Sequence, residues 1–319
     1  MGYFVGEYAI APATFDDEAR LLAGLSAMPD VRGLELPFTG SLHRSDEAWL
    51  FARLRREWDY VVTLIPGTMG RLQGNRHFGL ASQDESGRAT ALDMVRAARE
   101  AVARLNESHG RPAVVAVELH SAPSRGPGAG AGSRDAFARS LAEVASWDWF
   151  GARLAIEHCD AHRPGHPQHK GFLSLDDELA AIASANATAR AEIGLCVNWG
   201  RSVLETHDPE TAVAHIETAR RAGLLAGLMF SGTSSADTPY GVWQDTHMPH
   251  APADGLAHGA SGSLMTQTEI ARCIAAARGA RLQFLGAKIA IRPPEATVET
   301  RLGMIADILK LIARVASAA

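Results

Sequence analysis

Eight short apolar runs recur along the chain, each separated from the next by a helical stretch. They are Tyr3–Val5, Gly33–Leu36, Tyr60–Ile65, Ala113–Leu119, Arg153–Glu157, Ile193–Val197, Leu225–Phe230 and Phe284–Ile291. Most are β-branched or leucine-rich and bounded by Gly, Pro or Asn, the pattern of strands covered on both faces. Between them apolar residues return every three or four positions. From Thr90 onward, Ala91, Met94, Val95, Ala98, Val102 and Leu105 share one helical face. Asp208-Pro209-Glu210, Ser174 ahead of Asp176 to Glu178, and Thr266 with Glu269 mark helix starts. This alternation over 319 residues predicts a single (β/α)8 TIM barrel domain covering 1–319, a fold that takes roughly 250 residues plus insertions. A doubly wound open sheet competes with it, but no Gly-x-Gly-x-x-Gly follows the first run.

Charge narrows the function. Lys and Arg number 31 against 36 Asp and Glu, a net charge of −5. A nucleic-acid groove or an anionic membrane surface calls for clustered positive charge, so neither partner is expected. No apolar run approaches the roughly 18 residues of a spanning helix. The start, Met1-Gly-Tyr-Phe4, lacks a basic segment and a small-residue cleavage site. Cys159, Cys196 and Cys273 are far apart and in no ligand spacing. A cytoplasmic protein is expected, and a homo-oligomer is compatible with the sequence.

In such a barrel chemistry belongs to the strand C-termini and the loops after them. Two loops read as long: Pro66–Gly87 after strand three, with Arg71, Asn75, Arg76 and His77, and Ser231–Ser263 after strand seven, with Trp243, Asp245, His247, His250 and His258. The second is expected to act as a lid or specificity loop. Gly126–Gly132 reads as a flexible hinge rather than a phosphate cradle. Polar residues crowd the strand ends: Glu7, Glu35, Glu118, His120, Glu157, His158, Asp160, Asn198, Arg201, Ser231, Lys288 and Arg292. A carboxylate in an apolar strand must be desolvated, at a cost of several kcal/mol unless it is paired or ligand-bound. One alone reads equally well as a structural ion pair. Five or more converging on one end favour a site.

Leu154-Ala-Ile-Glu157-His158, Gly33-Leu-Glu35-Leu-Pro37 and Lys288-Ile-Ala-Ile-Arg292-Pro293 resemble the xylose-isomerase-like TIM-barrel superfamily of sugar isomerases, ketose 3-epimerases, inosose dehydratases and endonuclease IV-type enzymes. The resemblance runs through nearly the whole chain in strand order and points to a bacterial branch described as uncharacterised. It implies a divalent metal held by Glu, Asp, His and Glu at strands five to eight. Glu157 matches the first position, while Asn198 replaces Asp, Ser231 or Phe230 replaces His, and Arg292 replaces the last Glu. A hard ion needs several anionic oxygens, so the usual metal site is expected to be absent, with Arg292 or Lys288 supplying positive charge. A desolvated Lys288 could alternatively form a Schiff base. No cofactor is expected; the competing reading is a relocated zinc or manganese near Glu157, drawing on His120, His158, Asp160 and the loop residues His162, His166 and His169.

These residues point to a metal-independent isomerase or epimerase acting on a small carbohydrate or sugar acid by proton transfer beside a carbonyl. Glu157 is the expected base, with Glu118 or His120 as its acid–base partner and Lys288 catalytic. Glu7, Glu35, Asn198, Trp199, Arg201, Ser231, His247 and Arg292 are expected to bind substrate, with Trp199 as a sugar-stacking face. Two alternatives stand beside this reading: a glycoside hydrolase using Glu118 and Glu157, and a sugar-binding protein without activity.

Overall fold

The computed structural model describes residues 2–318; the Met1 end of the N-terminal reading lies outside them. Eight parallel strands close into a barrel in sequence order: β1 (Tyr3–Gly6), β2 (Val31–Pro37), β3 (Asp59–Thr63), β4 (Val114–Leu119), β5 (Arg153–His158), β6 (Gly194–Asn198), β7 (Leu225–Phe230) and β8 (Phe284–Ala287). β8 pairs with β1 through Phe4 and Val5, which removes both sheet edges. The helices are α1 (Glu7–Ile10), α2 (Phe15–Ser26), α3 (Glu47–Phe51), α4 (Ile65–Gly74), α5 (Glu85–His109), α6 (Arg134–Ala145), α7 (Leu175–Ala189), α8 (Trp199–Thr206), α9 (Glu210–Arg221), α10 (Gln267–Ala276) and α11 (Val298–Ala318). Among the described residues no helix is long and apolar enough to cross a membrane.

The strand pleat sorts side chains between two layers. Alternate residues face the helices and build the main apolar layer, as Val5, Leu34, Val62, Val117, Ile156, Val197 and Leu228 do. The others face inward, where Phe4, Val61, Ala116, Ala155, Cys196, Met229 and Phe284 form a separate apolar floor. Several helices start on side-chain caps: Ser174 Oγ accepts from Asp177 N at 3.3 Å, and Thr266 Oγ1 from Glu269 N at 3.2 Å. Asp208 Oδ1 accepts from Glu210 N at 2.9 Å, but the cap position falls on Pro209, one residue after the Asp208 that the sequence suggests.

Three connections differ from the sequence expectation. Pro66–Gly87 is not one long loop: α4 takes its first half, with Pro66 in the opening turn where its missing N–H is not needed. The Gly126–Gly132 segment is packed, with Arg76 Nη1 donating to Gly128 O at 3.2 Å and Gly132 bridging Ser82. Strand eight ends at Ala287, because beyond it the chain pairs with the connection after β7: Ala290 N donates to His247 O at 2.7 Å. That connection, 231–266, is irregular but tied down. Gly232 and Met248 exchange backbone hydrogen bonds of 2.8 and 3.0 Å, and Leu264 N donates to Thr233 O at 3.0 Å.

Candidate active site

Directly above the apolar floor, further along the same inward-facing strand positions, lie Glu35, Thr63, Glu118, Glu157, Asn198, Ser231 and Lys288, all buried. The same alternation that fills the floor therefore places a polar layer at the C-terminal end of the barrel, where this architecture puts its chemistry.

Lys288 is the hub. Its backbone N–H extends the ladder by donating to Phe230 O at 2.8 Å. Its Nζ lies 2.5 Å from Glu35 Oε1 and 3.0 Å from Glu157 Oε1. The stem passes over Gly6, where a Cβ would stand 2.8 Å from Lys288 Cγ and 3.0 Å from Glu35 Oε2. Burial pushes the lysine pKa down, but Glu157 and Glu35 overcome it and hold the ammonium well above its usual range. An amine kept protonated offers no lone pair for a Schiff base.

Glu157 is fully engaged. Beside the lysine, Oε1 accepts from Asn198 Nδ2 at 3.0 Å; Oε2 lies 2.5 Å from Arg201 Nη1 and 3.0 Å from His120 Nε2. Burial raises its pKa, but Arg201 and Lys288 outweigh that and keep it well below the carboxylate range. Its partner His120 is driven the other way, down to about 4, because burial disfavours the imidazolium more than Glu157 favours it. His120 is thus a neutral ring whose Nε2–H donates to Glu157 and whose buried Nδ1 has no protein partner.

Glu118 stands beside Thr63 on the neighbouring strand. Burial, then the charges of Glu157 and Glu35, raise it well above the usual range and favour its protonated form, and neither of its buried oxygens has a hydrogen-bond partner. The hydroxyl of Tyr8, whose ring lies 5.6 Å from Lys288 Nζ, and that of Thr63 are buried without partners. These unpartnered polar atoms are the kind of surface that a polar ligand satisfies.

The connection after β7 completes the site. Asp245 pairs with Arg201 Nε at 3.2 Å and with Lys170, which approaches from the loop after β5. Burial raises the Asp245 pKa, but Lys170 and Arg201 hold it well below the usual range. His247 Nδ1 is 2.7 Å from Ser231 Oγ and 3.4 Å from Asp245 Oδ1. Both contacts fall on the same nitrogen, so Ser231, His247 and Asp245 do not form a nucleophile relay, which needs one ring nitrogen for each partner.

Glu35, Glu118, His120, Glu157, Asn198, Arg201, Ser231, His247 and Lys288 thus come together or adjoin. Three expected residues lie apart. Trp199 follows inward-facing Asn198 and so turns outward, buried in the apolar layer beneath the helices rather than offering a sugar face. Arg292 is exposed beyond the end of β8, its guanidinium 5.8 Å from the Tyr240 ring. Glu7 faces α2: burial and the charge of Glu18 push it up to about 8. The loop residues have local partners, with Asp160 accepting backbone N–H bonds from His169, Lys170 and Gly171, His162 against Gln168, and His166 near Leu204 O. Tyr8, Thr63 and Lys170 were not singled out from sequence, and Asp245 was named only as part of the long connection. Asp245, two residues before His247 in the long connection, carried the clearest signal.

The divalent ion implied by the superfamily does not fit this donor set. Of its four expected ligand positions only Glu157 offers an anionic oxygen, and both its oxygens already face cations. Glu35, Glu118 and Glu157 do bring oxygens within 4.8 Å of one another. Lys288 already places its ammonium against two of them, and a second cation there would meet strong repulsion.

Comparison with solved structures returns the same fold at low identity. The zinc-bound IolI protein superposes with a TM-score of 0.59 at 11% identity, covering 100% of this chain and 99% of that one. D-psicose 3-epimerase, solved with D-fructose, gives 0.58 at 13%, covering 98% of each. A sugar phosphate isomerase/epimerase from Parabacteroides distasonis gives 0.56 at 10%, covering 99% and 95%. These likenesses show a shared TIM-barrel fold. In sequence it is 38% identical over 315 residues to the uncharacterized protein STM3670 of Salmonella typhimurium, covering 98% of this chain and 96% of that one. The profile of a domain of unknown function, DUF4862, matches residues 4–304, and the chain belongs to that family.

Proposed function

We propose that this protein catalyses proton transfer beside a carbonyl, in the manner of an isomerase or epimerase, on a small carbohydrate or sugar acid, and without a divalent metal in the barrel. The observation that carries this reading is the pairing of a neutral imidazole with a protonated carboxyl. His120, oriented by Glu157, has a free Nδ1 to accept a proton, and Glu118 has one to donate. Two groups whose environments drive their protonation states apart are the usual signature of an acid–base pair. Lys288 and Arg201 supply the fixed positive charge that would stabilise an enolate or hold a carboxylate. Glu157, engaged on every side, then acts as the orienting counter-charge of His120 rather than as the base.

The solved sugar isomerases and epimerases of the same fold support the substrate class. Glycoside hydrolysis is favoured less. It needs a free carboxylate as nucleophile or base, whereas both Glu157 oxygens already face Lys288, Asn198, Arg201 and His120. The saturated contacts of Glu157 favour one second reading, a protein that binds sugar acids without turning them over. A panel of aldonic, uronic and keto-sugar acids incubated with the protein in D2O separates the two. Deuterium entering at the carbon beside the carbonyl supports catalysis; saturable binding with no exchange supports the second reading.

A further inference from the structure

Outside the barrel wall, four side chains from four elements converge. His158 ends β5 and, one position past Glu157, faces the helices. Its Nδ1 lies 2.7 Å from Glu178 Oε2 on α7, and its Nε2 3.2 Å from Glu205 Oε2 on α8. His215 on α9 meets the His158 ring edge-on, centroids 4.8 Å apart. His215 Nδ1 is 3.0 Å from Ser202 Oγ, and its Nε2 is 4.0 Å from Glu205 Oε1. One ligand atom from each of His158, Glu205 and His215 lies within 4.8 Å of the others.

We propose that His158, Glu205 and His215 form a zinc site, binding through Nε2 of both imidazoles and a Glu205 oxygen, with the fourth position left to water. A tetrahedral zinc with ligand bonds of about 2.0–2.1 Å sets its ligands roughly 3.3 Å apart. His158 Nε2 already stands 3.2 Å from Glu205 Oε2, and a small turn of His215 or of the carboxylate, whose other oxygen Oε1 is 4.0 Å from His215 Nε2, completes the set. Both rings have Nδ1 held by a second partner, Glu178 or Ser202, and Nε2 turned toward the same carboxylate. That is the arrangement which fixes the tautomer of a metal-bound histidine. Glu178 is itself anchored, accepting from Ser121 Oγ at 2.5 Å.

The competing reading is a buried ion pair, a His158 imidazolium between two carboxylates. It accounts for His158 but not for His215, whose Nε2 faces Glu205 beyond hydrogen-bond reach. Entry is available, because the side chains of Glu205 and His215 are 8% and 12% exposed beside the exposed Arg163. The ion would clip β5 to α8 and α9. The first two of these elements also carry Glu157 and Arg201.

The test is zinc added to chelator-treated, full-length protein in competition with a chromophoric chelator, followed by cobalt(II) substitution. One zinc per chain and the intense visible bands of four-coordinate cobalt are expected. Glu205→Gln and His215→Gln should each weaken zinc binding by about 100-fold or more; His215→Gln should also leave the metal-free melting temperature close to wild type, and His215→Asn repeats the test if either fails to fold. Glu118→Gln, inside the barrel, should leave zinc binding intact. No stoichiometric zinc, weak six-coordinate cobalt spectra, undiminished affinity in the His215 variants, or loss in Glu118→Gln instead would each overturn the proposal.

Discussion

Lys288 Nζ and Glu157 Oε1 stand 3.0 Å apart inside the barrel, and neither side chain is exposed. A buried ammonium in a ring of carboxylates is the arrangement expected where a chain holds its positive charge covalently rather than as a bound ion. Removing one member of a buried pair typically costs ~3–5 kcal/mol, because the other charge is left uncompensated. Lys288→Met should therefore destabilise the protein by about that much in chemical denaturation. Adding Glu35→Gln should recover part of the loss, since one fewer carboxylate then lacks its cation. Purely additive losses would mean that the two side chains are not coupled.

Gly6 should be intolerant for a different reason. A Cβ there would sit 2.8 Å from Lys288 Cγ and 3.0 Å from Glu35 Oε2. Gly6→Ala is expected to displace the lysine stem from Glu35, at a cost of about 1–3 kcal/mol and with a larger proportional loss of activity. A variant with wild-type turnover would show that the lysine position is not needed.

The neutral state of His120 predicts a pH limb. Its folded pKa, lowered to about 4, lies below the ordinary 6.5. The unfolded chain therefore binds a proton that the folded chain refuses, and stability falls as pH drops from about 6.5 toward 4. The full effect is about 3 kcal/mol. His120→Gln should flatten this part of a stability-against-pH curve. An unchanged slope would mean that other groups produce it.

Glu7 has the opposite sense for an acid. Burial, with the charge of Glu18, pushes it up to about 8, so its neutral form is favoured and stability is lost as pH rises from about 4.5 through 8. Glu7→Gln should be nearly silent at pH 5 and stabilising at pH 9 in thermal unfolding. Destabilisation at pH 9 would mean that the ionised carboxylate has a partner in the fold.

Much of this was legible in the residues. The barrel followed from eight buried-strand runs, and Glu35, Glu118, Glu157, Asn198 and Lys288 stood out because charge or amide in an apolar strand demands a partner. Strand alternation separates Glu157 from His158, and applied one residue further it also turns Trp199 away from the interior. Arg292 was misplaced because the apolar run Ile289–Ile291 reads as strand, whereas its backbone pairs with the connection after β7. Lys170 and Asp245 lie 75 residues apart and His158 and Glu205 47 apart. Only folding brings such pairs together, and no local spacing announces them.

The most direct measurement is the rate at which the protein exchanges deuterium into a sugar acid at the carbon beside the carbonyl, in D2O, with and without added manganese or magnesium. The proposed mechanism predicts exchange that is indifferent to the added ions and falls by about 100-fold or more in His120→Asn and in Glu118→Gln. Exchange that appears only with the ion, or that survives in both variants, would contradict a lysine- and arginine-supported acid–base centre.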